Sequence, residues 1–236
     1  MDKSTLRRKL PALLLVVAAG QVGLAGGASA QGGLLGTGVL APPRPPVAPA
    51  SAPVATIEAQ IEHKLAALRY DVGPVDGVVD ETTGHAIMAF QKVHGLPRTG
   101  RLSQEVAAQI MGDDSVPPAI SPGGDPNRVE ISLARQVLFM YENGTLTKIV
   151  SVSSGTSRTP TPTGTFRLFR FEPGWHTSYL GRLYNAEYFI GGYAIHGSTS
   201  VPAEPASHGC VRLPMYSAEW FPTHAPLGTQ VVIVAT

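Results

Sequence analysis

Hydrophobic residues between positions 56 and 110 recur at helical spacing. Three groups share this pattern: Ile57, Ile61, Leu65 and Leu68; Ile87 and Phe90; and Val106 and Ile110. Thr56 and Ser103 stand in N-cap positions before the first and third groups, and Asp80 precedes the second. The pattern predicts a small module of three helices.

From residue 129 onward the hydrophobic pattern follows strand spacing instead. The predicted strands contain Val129, Ile131 and Leu133; Val137, Phe139 and Tyr141; Ile149, Val150 and Val152; residues 165–169; and residues 231–234. Asn143-Gly144 is a strong hairpin signal between the second and third strands. We find no sustained helical pattern among them. The segment therefore predicts a mostly β domain, a sandwich or barrel, and the whole chain is predicted to be α+β.

Two stretches rich in proline and glycine divide the chain. Residues 31–54 form a Pro/Ala-rich linker, which favours extended backbone and cannot build a core. Residues 113–126 form a second linker. We therefore expect the helical module at 55–112 and the β domain at 127–236.

Residues 1–30 have the composition of an export signal. Four basic residues (Lys3, Arg7, Arg8 and Lys9) precede an apolar stretch at 10–19, and Ala28-Ser29-Ala30 follows as a cleavage pattern. A retained membrane anchor is the alternative, but a spanning helix needs about 20 apolar residues. The prediction is a secreted protein of the periplasm or cell wall.

The charge and cysteine content of the chain limit the kinds of partner and reaction that are expected. The formal net charge of +1 leaves no electrostatic footprint for nucleic acid, so no nucleic-acid partner is expected. The single cysteine, Cys210, cannot form an internal disulfide. An unpaired thiol in an exported protein either packs in the core or performs chemistry.

The stretch from 196 to 212 contains the residue types that cysteine acyl transfer requires. The thiolate is the nucleophile, a histidine increases its fraction, and backbone N–H groups stabilise the oxyanion. His196 and His208 both lie near Cys210, and Gly209 permits a close backbone approach. Spacing alone leaves three interpretations open: a catalytic pair, a buried packing cysteine, or metal ligands. Metal is the weakest, because nothing nearby completes a tetrahedral ligand set.

These residues resemble the signature of the L,D-transpeptidases. His196-Gly197 is followed by a loop and then by Ser207-His208-Gly209-Cys210-Val211-Arg212. Residues 133–144, 151–155, 159–166 and 184–197 resemble the family's opening hairpin, the next strand and turn, and the approach to the site. The resemblance covers about residues 127–236.

The resemblance implies a role for each site residue. Cys210 is the nucleophile, His196 is the base, His208 shapes the oxyanion pocket, and Gly209 lets backbone N–H groups face the oxyanion. A backbone carbonyl or Ser198 holds the tautomer of His196. The residues expected to bind substrate are Arg212, Ser207, Ser198 and Tyr193. No metal and no cofactor are expected.

The implied reaction joins peptidoglycan stems. Cys210 attacks the carbonyl of meso-diaminopimelate in a tetrapeptide stem and releases D-alanine, and a second stem's amine resolves the thioester into a 3–3 cross-link. The family also implies acylation by carbapenems, and we expect a monomer. Alternatives are an L,D-carboxypeptidase on the same site and a non-catalytic wall-binding protein. A sortase is disfavoured, because no Thr-Leu-x-Thr precedes Cys210.

The helical segment resembles a small peptidoglycan-binding module, which implies glycan as a partner. The matching residues are Leu65, Leu68, Tyr70, Gly73-Pro74-Val75-Asp76-Gly77, Ala86, Phe90-Gln91, His94-Gly95-Leu96 and Gly100. The start of the second helix departs from the family pattern, with Asp80-Glu81-Thr82-Thr83-Gly84. Gly84 weakens that helix by about 1 kcal/mol relative to alanine.

Overall fold

The structure is a computed structural model that describes residues 56–121 and 123–236. The predicted export signal at 1–30 and the predicted linker at 31–54 lie outside the described residues. Within the described part of the chain, no helix has the length and apolar character needed to cross a membrane.

The three predicted helices are present as α1 (Ile57–Ala67), α2 (Glu81–Val93) and α3 (Gln104–Gly112). Each begins at a side-chain cap: Thr56 accepts from the Ala59 N–H, Asp80 from the N–H groups of Thr82 and Thr83, and Ser103 from the Val106 N–H. Ile57 departs from the predicted buried face, since it lies in the first turn of α1 and is 51% exposed.

The β domain has two mixed sheets, which confirms the predicted α+β class. The strands are β1 (Arg128–Ser132), β2 (Val137–Glu142), β3 (Thr145–Ser151), β4 (Gly164–Arg167), β5 (Arg170–Ser178), β6 (Gly181–Ile190), β7 (Tyr193–Gly197), β8 (Val211–Leu213) and β9 (Gln230–Val234). The first sheet has the order β3-β2-β1-β9-β4, and the second has the order β5-β6-β7-β8. Strands β1 and β9 pair in parallel, as do β7 and β8, while the other neighbours are antiparallel.

One core joins the two sheets. Ile131 and Leu138 of the first sheet, Ile195 and Val211 of the second, and Phe221 all belong to the same buried cluster. Burial of these side chains from both sheets is what holds the sandwich together.

The β domain also contains a helix, α4 (Met215–His224), and the expectation of an uninterrupted β pattern was wrong. Pro222 lies inside α4 and removes the N–H that would bond to the Ala218 carbonyl. The side-chain amide of Asn185 donates to that carbonyl instead, at 3.1 Å. A neighbouring strand therefore satisfies the group that proline frees, and the sequence of the helix carries no sign of this.

The helical module packs on the β2–β3 part of the first sheet. Phe139 and Ile149 share a buried cluster with Ile87 and Phe90 of α2. Tyr70, after α1, forms a parallel bridge with Ile149, so the segment extends the sheet edge. The two predicted folded segments therefore share a hydrophobic core, which is separate from the core between the two sheets.

Buried polar groups also cross this contact. Lys92 of α2 is 2% exposed, and its ammonium donates to Ser151 Oγ at 2.8 Å and to the carbonyl oxygens of Val152 at 2.9 Å and Gln136 at 3.1 Å. Burial lowers the pKa of Lys92 to about 7. The contact is thus specified by directional hydrogen bonds as well as by apolar area.

Candidate active site

Six of the eight predicted site residues line one cavity of about 540 Å³. They are Cys210, His196, His208, Ser207, Ser198 and Arg212. Gly209 and Tyr193 are not part of the lining and lie behind it. The volume lies within the range of pockets that bind small ligands.

The topology of the second sheet brings the motif pieces together. Strands β7 and β8 are parallel neighbours, and His196 is in register with Arg212. Ile195 and Val211 point into the core between the sheets. Side chains alternate along a strand, so His196 and Arg212 point to the opposite, outer face. Cys210 immediately precedes β8 and packs against a small apolar cluster on this outer face, formed by Leu183, Ala186, Tyr188 and Ala194.

Cys210 is half-buried, and in the resting site its side chain is a protonated thiol rather than a thiolate. Burial raises the pKa of the thiol above its ordinary value, while the Ala194 N–H and the charge of Arg212 lower it. Sγ lies 3.9 Å from the carbonyl oxygen of Gly192, a weak contact for a thiol donor. A thiol in this state must lose its proton before it can act as a nucleophile at neutral pH.

His196 is buried, and a backbone carbonyl orients its ring. Its Nδ1 lies 2.9 Å from the carbonyl oxygen of Gly197. A carbonyl can only accept, so Nδ1 carries the proton and Nε2 keeps its lone pair. Burial lowers the pKa of His196 to about 4, Gly197 opposes that shift, and the charge of Arg212 adds to it. The imidazole is therefore neutral at pH 7.

The sequence left two groups that could fix the His196 tautomer, a backbone carbonyl or Ser198, and the structure shows the first. The backbone carbonyl holds the ring. Ser198 Oγ is used within its own turn, where it donates to the carbonyl of Ser200 and accepts from the Ser200 N–H. Ser198 remains on the cavity wall.

The loop that carries Cys210 is closed by Ser207. Ser207 Oγ donates to the carbonyl oxygen of Cys210 at 2.5 Å and accepts from the Gly209 N–H at 3.0 Å. The side chain of Thr161 donates to the Gly209 carbonyl at 2.8 Å. The Gly209 N–H is thereby engaged inside the loop and does not face the cavity as a free donor.

Position 209 requires glycine for two reasons, its backbone conformation and the lack of room for a side chain. Its φ is +118°, a conformation that L side chains rarely adopt. A Cβ at this position would lie 2.4 Å from Cε1 of Tyr193. Tyr193 thus packs behind the loop that carries Cys210, which explains its absence from the cavity wall.

The β5–β6 hairpin supplies a second wall that sequence reasoning did not assign. Trp175 and Tyr179 both line the cavity with large exposed surfaces. Arg170, Arg182 and Tyr188 also line it. Except for Tyr188, these residues lie outside the four segments that resemble the family, and the pairing of β6 with β7 brings them to the cavity.

The described residues contain no group of three or more His, Cys, Asp or Glu side chains arranged to hold a metal ion. The chemistry available to the site is that of a thiol, a neutral imidazole with one free ring nitrogen, and backbone and side-chain hydrogen-bond donors. This set suits nucleophilic acyl transfer.

Comparison with known proteins identifies the fold and the family. The family model of the L,D-transpeptidase catalytic domain matches residues 126–233, and that of a peptidoglycan binding domain matches residues 59–110. No curated protein matches the chain.

Two solved structures are similar over most of the chain. An L,D-transpeptidase from Xylanimonas cellulosilytica DSM 15894 is 32% identical with a TM-score of 0.69, and the match covers 81% of this chain and 100% of that chain. An L,D-transpeptidase from Stackebrandtia nassauensis is 26% identical with a TM-score of 0.50, and the match covers 76% and 91%. The resemblance read from the motifs is thereby confirmed, and this chain belongs to the L,D-transpeptidase family.

Proposed function

We propose that this protein is an exported cysteine transpeptidase that releases D-alanine from peptidoglycan tetrapeptide stems and forms 3–3 cross-links. One observation carries the proposal: Cys210 opens into the same cavity as His196, a neutral imidazole whose Nδ1 is protonated and whose Nε2 keeps its lone pair. In this proposal the module at 55–112 binds glycan, and the domain at 127–236 performs the chemistry.

Acylation begins with a neutral pair. His196 Nε2 accepts the thiol proton as Cys210 Sγ adds to the carbonyl carbon of the diaminopimelate residue. The bond from that carbon to the nitrogen of D-alanine then breaks. His196 returns the proton to the leaving amine, and D-alanine departs. The stem remains as a thioester on Cys210.

The second half-reaction transfers the stem. The side-chain amine of diaminopimelate on another stem adds to the thioester carbon and gives a proton to His196. The carbon–sulfur bond breaks, and the proton returns to Cys210. The product is an amide bond between the third residues of two stems, and the thiol is regenerated.

The oxyanion needs donors other than the Gly209 N–H, because that group donates to Ser207. We assign this role to the backbone N–H of Cys210, with His208 on the adjacent cavity wall. Ser207 then acts by closing the loop. Arg212, whose charge lowers the pKa of both Cys210 and His196, lies near the reacting groups.

The first test is covalent labelling. The mature protein, residues 31–236, should gain the mass of one carbapenem on Cys210, and Cys210→Ala should gain none. A folded wild-type protein that remains unlabelled would argue against a reactive thiol.

The second test identifies the acceptor. Incubation with tetrapeptide muropeptides should release D-alanine and produce a cross-linked dimer. Release of D-alanine without a dimer would assign the protein as an L,D-carboxypeptidase. A protein that binds muropeptides and releases no D-alanine would contradict the proposed activity.

The third test concerns export and assembly. Fractionation of cells that express the full chain should recover it outside the cytoplasm, with a new N-terminus after Ala30. Recovery of the uncleaved chain in the membrane would indicate a retained anchor. Light scattering of the mature protein should give the mass of a monomer.

A further inference from the structure

The cavity around Cys210 has an unbalanced charge. Arg170, Arg182 and Arg212 line it, and among the described residues its lining includes no Asp or Glu. A cavity with one sign of charge concentrates ligands of the opposite sign. Such a cavity favours a ligand that carries negative charge close to Cys210.

Arg182 is the cation of this set that lies on the β5–β6 hairpin without a carboxylate partner. Its guanidinium lies 4.2 Å from the ring centre of Trp175, which is 43% exposed. Among the ion pairs of the described residues, none involves Arg182. Stacking holds the plane of the guanidinium and leaves its edge, with the N–H donors, available to a ligand.

Arg170 differs, because a carboxylate already holds it. Its guanidinium lies 3.7 Å from the ring centre of Tyr188, and Nη1 lies 3.1 Å from Glu172 Oε1. The hydroxyl of Tyr188 donates to Glu172 Oε2 at 2.9 Å. Glu172 thus offsets the charge of Arg170, and the surplus positive charge on this wall comes from Arg182.

Resting on the proposed function, we propose that Arg182 recognises the free carboxylate of the donor diaminopimelate, the one that is not in the scissile peptide bond. A guanidinium fork matches a carboxylate with two parallel N–H···O bonds. A carboxamide at that position has no charge and turns an NH₂ group toward the guanidinium donors. The substrate class is therefore stems whose diaminopimelate carboxyl is free rather than amidated.

The test measures binding without turnover. Two donor tetrapeptides, differing only in carboxylate or carboxamide at that position, are titrated calorimetrically into Cys210→Ala protein. We expect the free acid to bind about tenfold more tightly. Adding Arg182→Gln should remove this preference by weakening the free acid, while Arg182→Lys should retain part of it. Arg101→Gln, at an exposed arginine of the helical module, is the matched control.

Equal affinities for the two donors, or a preference that survives Arg182→Gln, would overturn the proposal. The comparison of donors on the parent protein needs no arginine variant, so a variant that fails to fold does not obscure it. D-alanine release by the wild-type protein is measured separately. Its absence alongside a clear carboxylate preference would count against the proposed reaction and not against this recognition.

Discussion

Arg98 Nη1 lies 3.1 Å from both carboxylate oxygens of Glu204, and the contact joins the helical module to the loop between His196 and Cys210. Nη2 of Arg98 also donates to the carbonyl of Ala134 at 2.9 Å. One side chain of the module therefore links two loops of the β domain.

We expect Arg98→Gln to slow acylation by about tenfold, because small displacements of a reactive loop are costly. The free energy of unfolding should fall by no more than about 1 kcal/mol, since Glu204 is 69% exposed and solvent weakens the ion pair. Labelling rates and thermal unfolding measure the two effects. Arg101→Gln is the control, and an acylation rate equal to wild type in Arg98→Gln would show that the contact does not position the loop.

Removing the helical module should prevent the β domain from folding stably. Deletion of residues 56–113 would expose Val137, Phe139 and Ile149, which share a core with the helices. Exposing a large apolar side chain costs about 1.5 to 3 kcal/mol. Circular dichroism and solubility measure the outcome, with deletion of residues 1–55 as the control. A truncated protein that unfolds cooperatively at the wild-type temperature would refute this expectation.

Gly209→Ala should abolish acylation, because its Cβ would collide with Tyr193 and force the nucleophile loop to move. We expect a loss of about 1 to 3 kcal/mol in stability as well. Gly228→Ala is the matched control: Gly228 also has a positive φ, +94°, but nothing lies near its Cβ position. Similar activity losses in both variants would mean that backbone strain, and not the clash, is responsible.

The acid limb of acylation should lie near pH 4. Neutral imidazole is the active form, and burial lowers the pKa of His196 to about 4. Activity is therefore expected to persist as pH falls below the ordinary histidine pKa of about 6.5 and to disappear near pH 4. The pH profile of kcat/KM for the release of D-alanine measures this. An acid limb near 6.5 would indicate a solvated His196.

Glu187→Gln should make the protein more stable than wild type at neutral pH, because it removes the cost of keeping a carboxyl group buried. Glu187 on β6 is 1% exposed, its Oε2 is without a hydrogen-bond partner among the described residues, and burial raises its pKa to about 8. The unfolded chain ionises this carboxyl near pH 4.5, so stability falls as pH rises from about 4.5 to about 8. The loss over that range is about 4 to 5 kcal/mol.

Denaturant unfolding of wild type and Glu187→Gln between pH 4 and pH 8 measures the difference. The curves should agree near pH 4 and diverge toward pH 8, with the variant more stable. Glu105→Gln, at an exposed carboxyl on α3, is the control. Parallel curves would contradict a buried, protonated Glu187.

Features that depend on neighbours in sequence could be predicted. The helix caps at Thr56, Asp80 and Ser103 act within one turn, and each was visible as a polar residue before a periodic segment. Asn143 and Gly144 form the β2–β3 turn with φ of +51° and +78°, as their residue types favour. The motif at 196–212 selected Cys210, His196 and Arg212 as site candidates, and all three line one cavity.

Other features depend on residues far apart in sequence. Helix α4 contains Pro222, and the hydrogen bond from Asn185 that makes this tolerable comes from another strand. Arg182 reaches the cavity because β6 pairs with β7.

The charge state of His196 also comes from long-range packing. The motif does not specify a pKa for His196, whereas burial in the folded domain lowers it to about 4 and keeps the ring neutral well below pH 6.5. The motif and its resemblance to a known family therefore selected the candidate site residues. Burial by residues distant in sequence determined the protonation of the site residues. Strand pairing brought the arginines of the β5–β6 hairpin to the cavity, and tertiary contacts attached the site to the helical module. Desolvation and contact act through space and not along the chain, so these features depended on the fold.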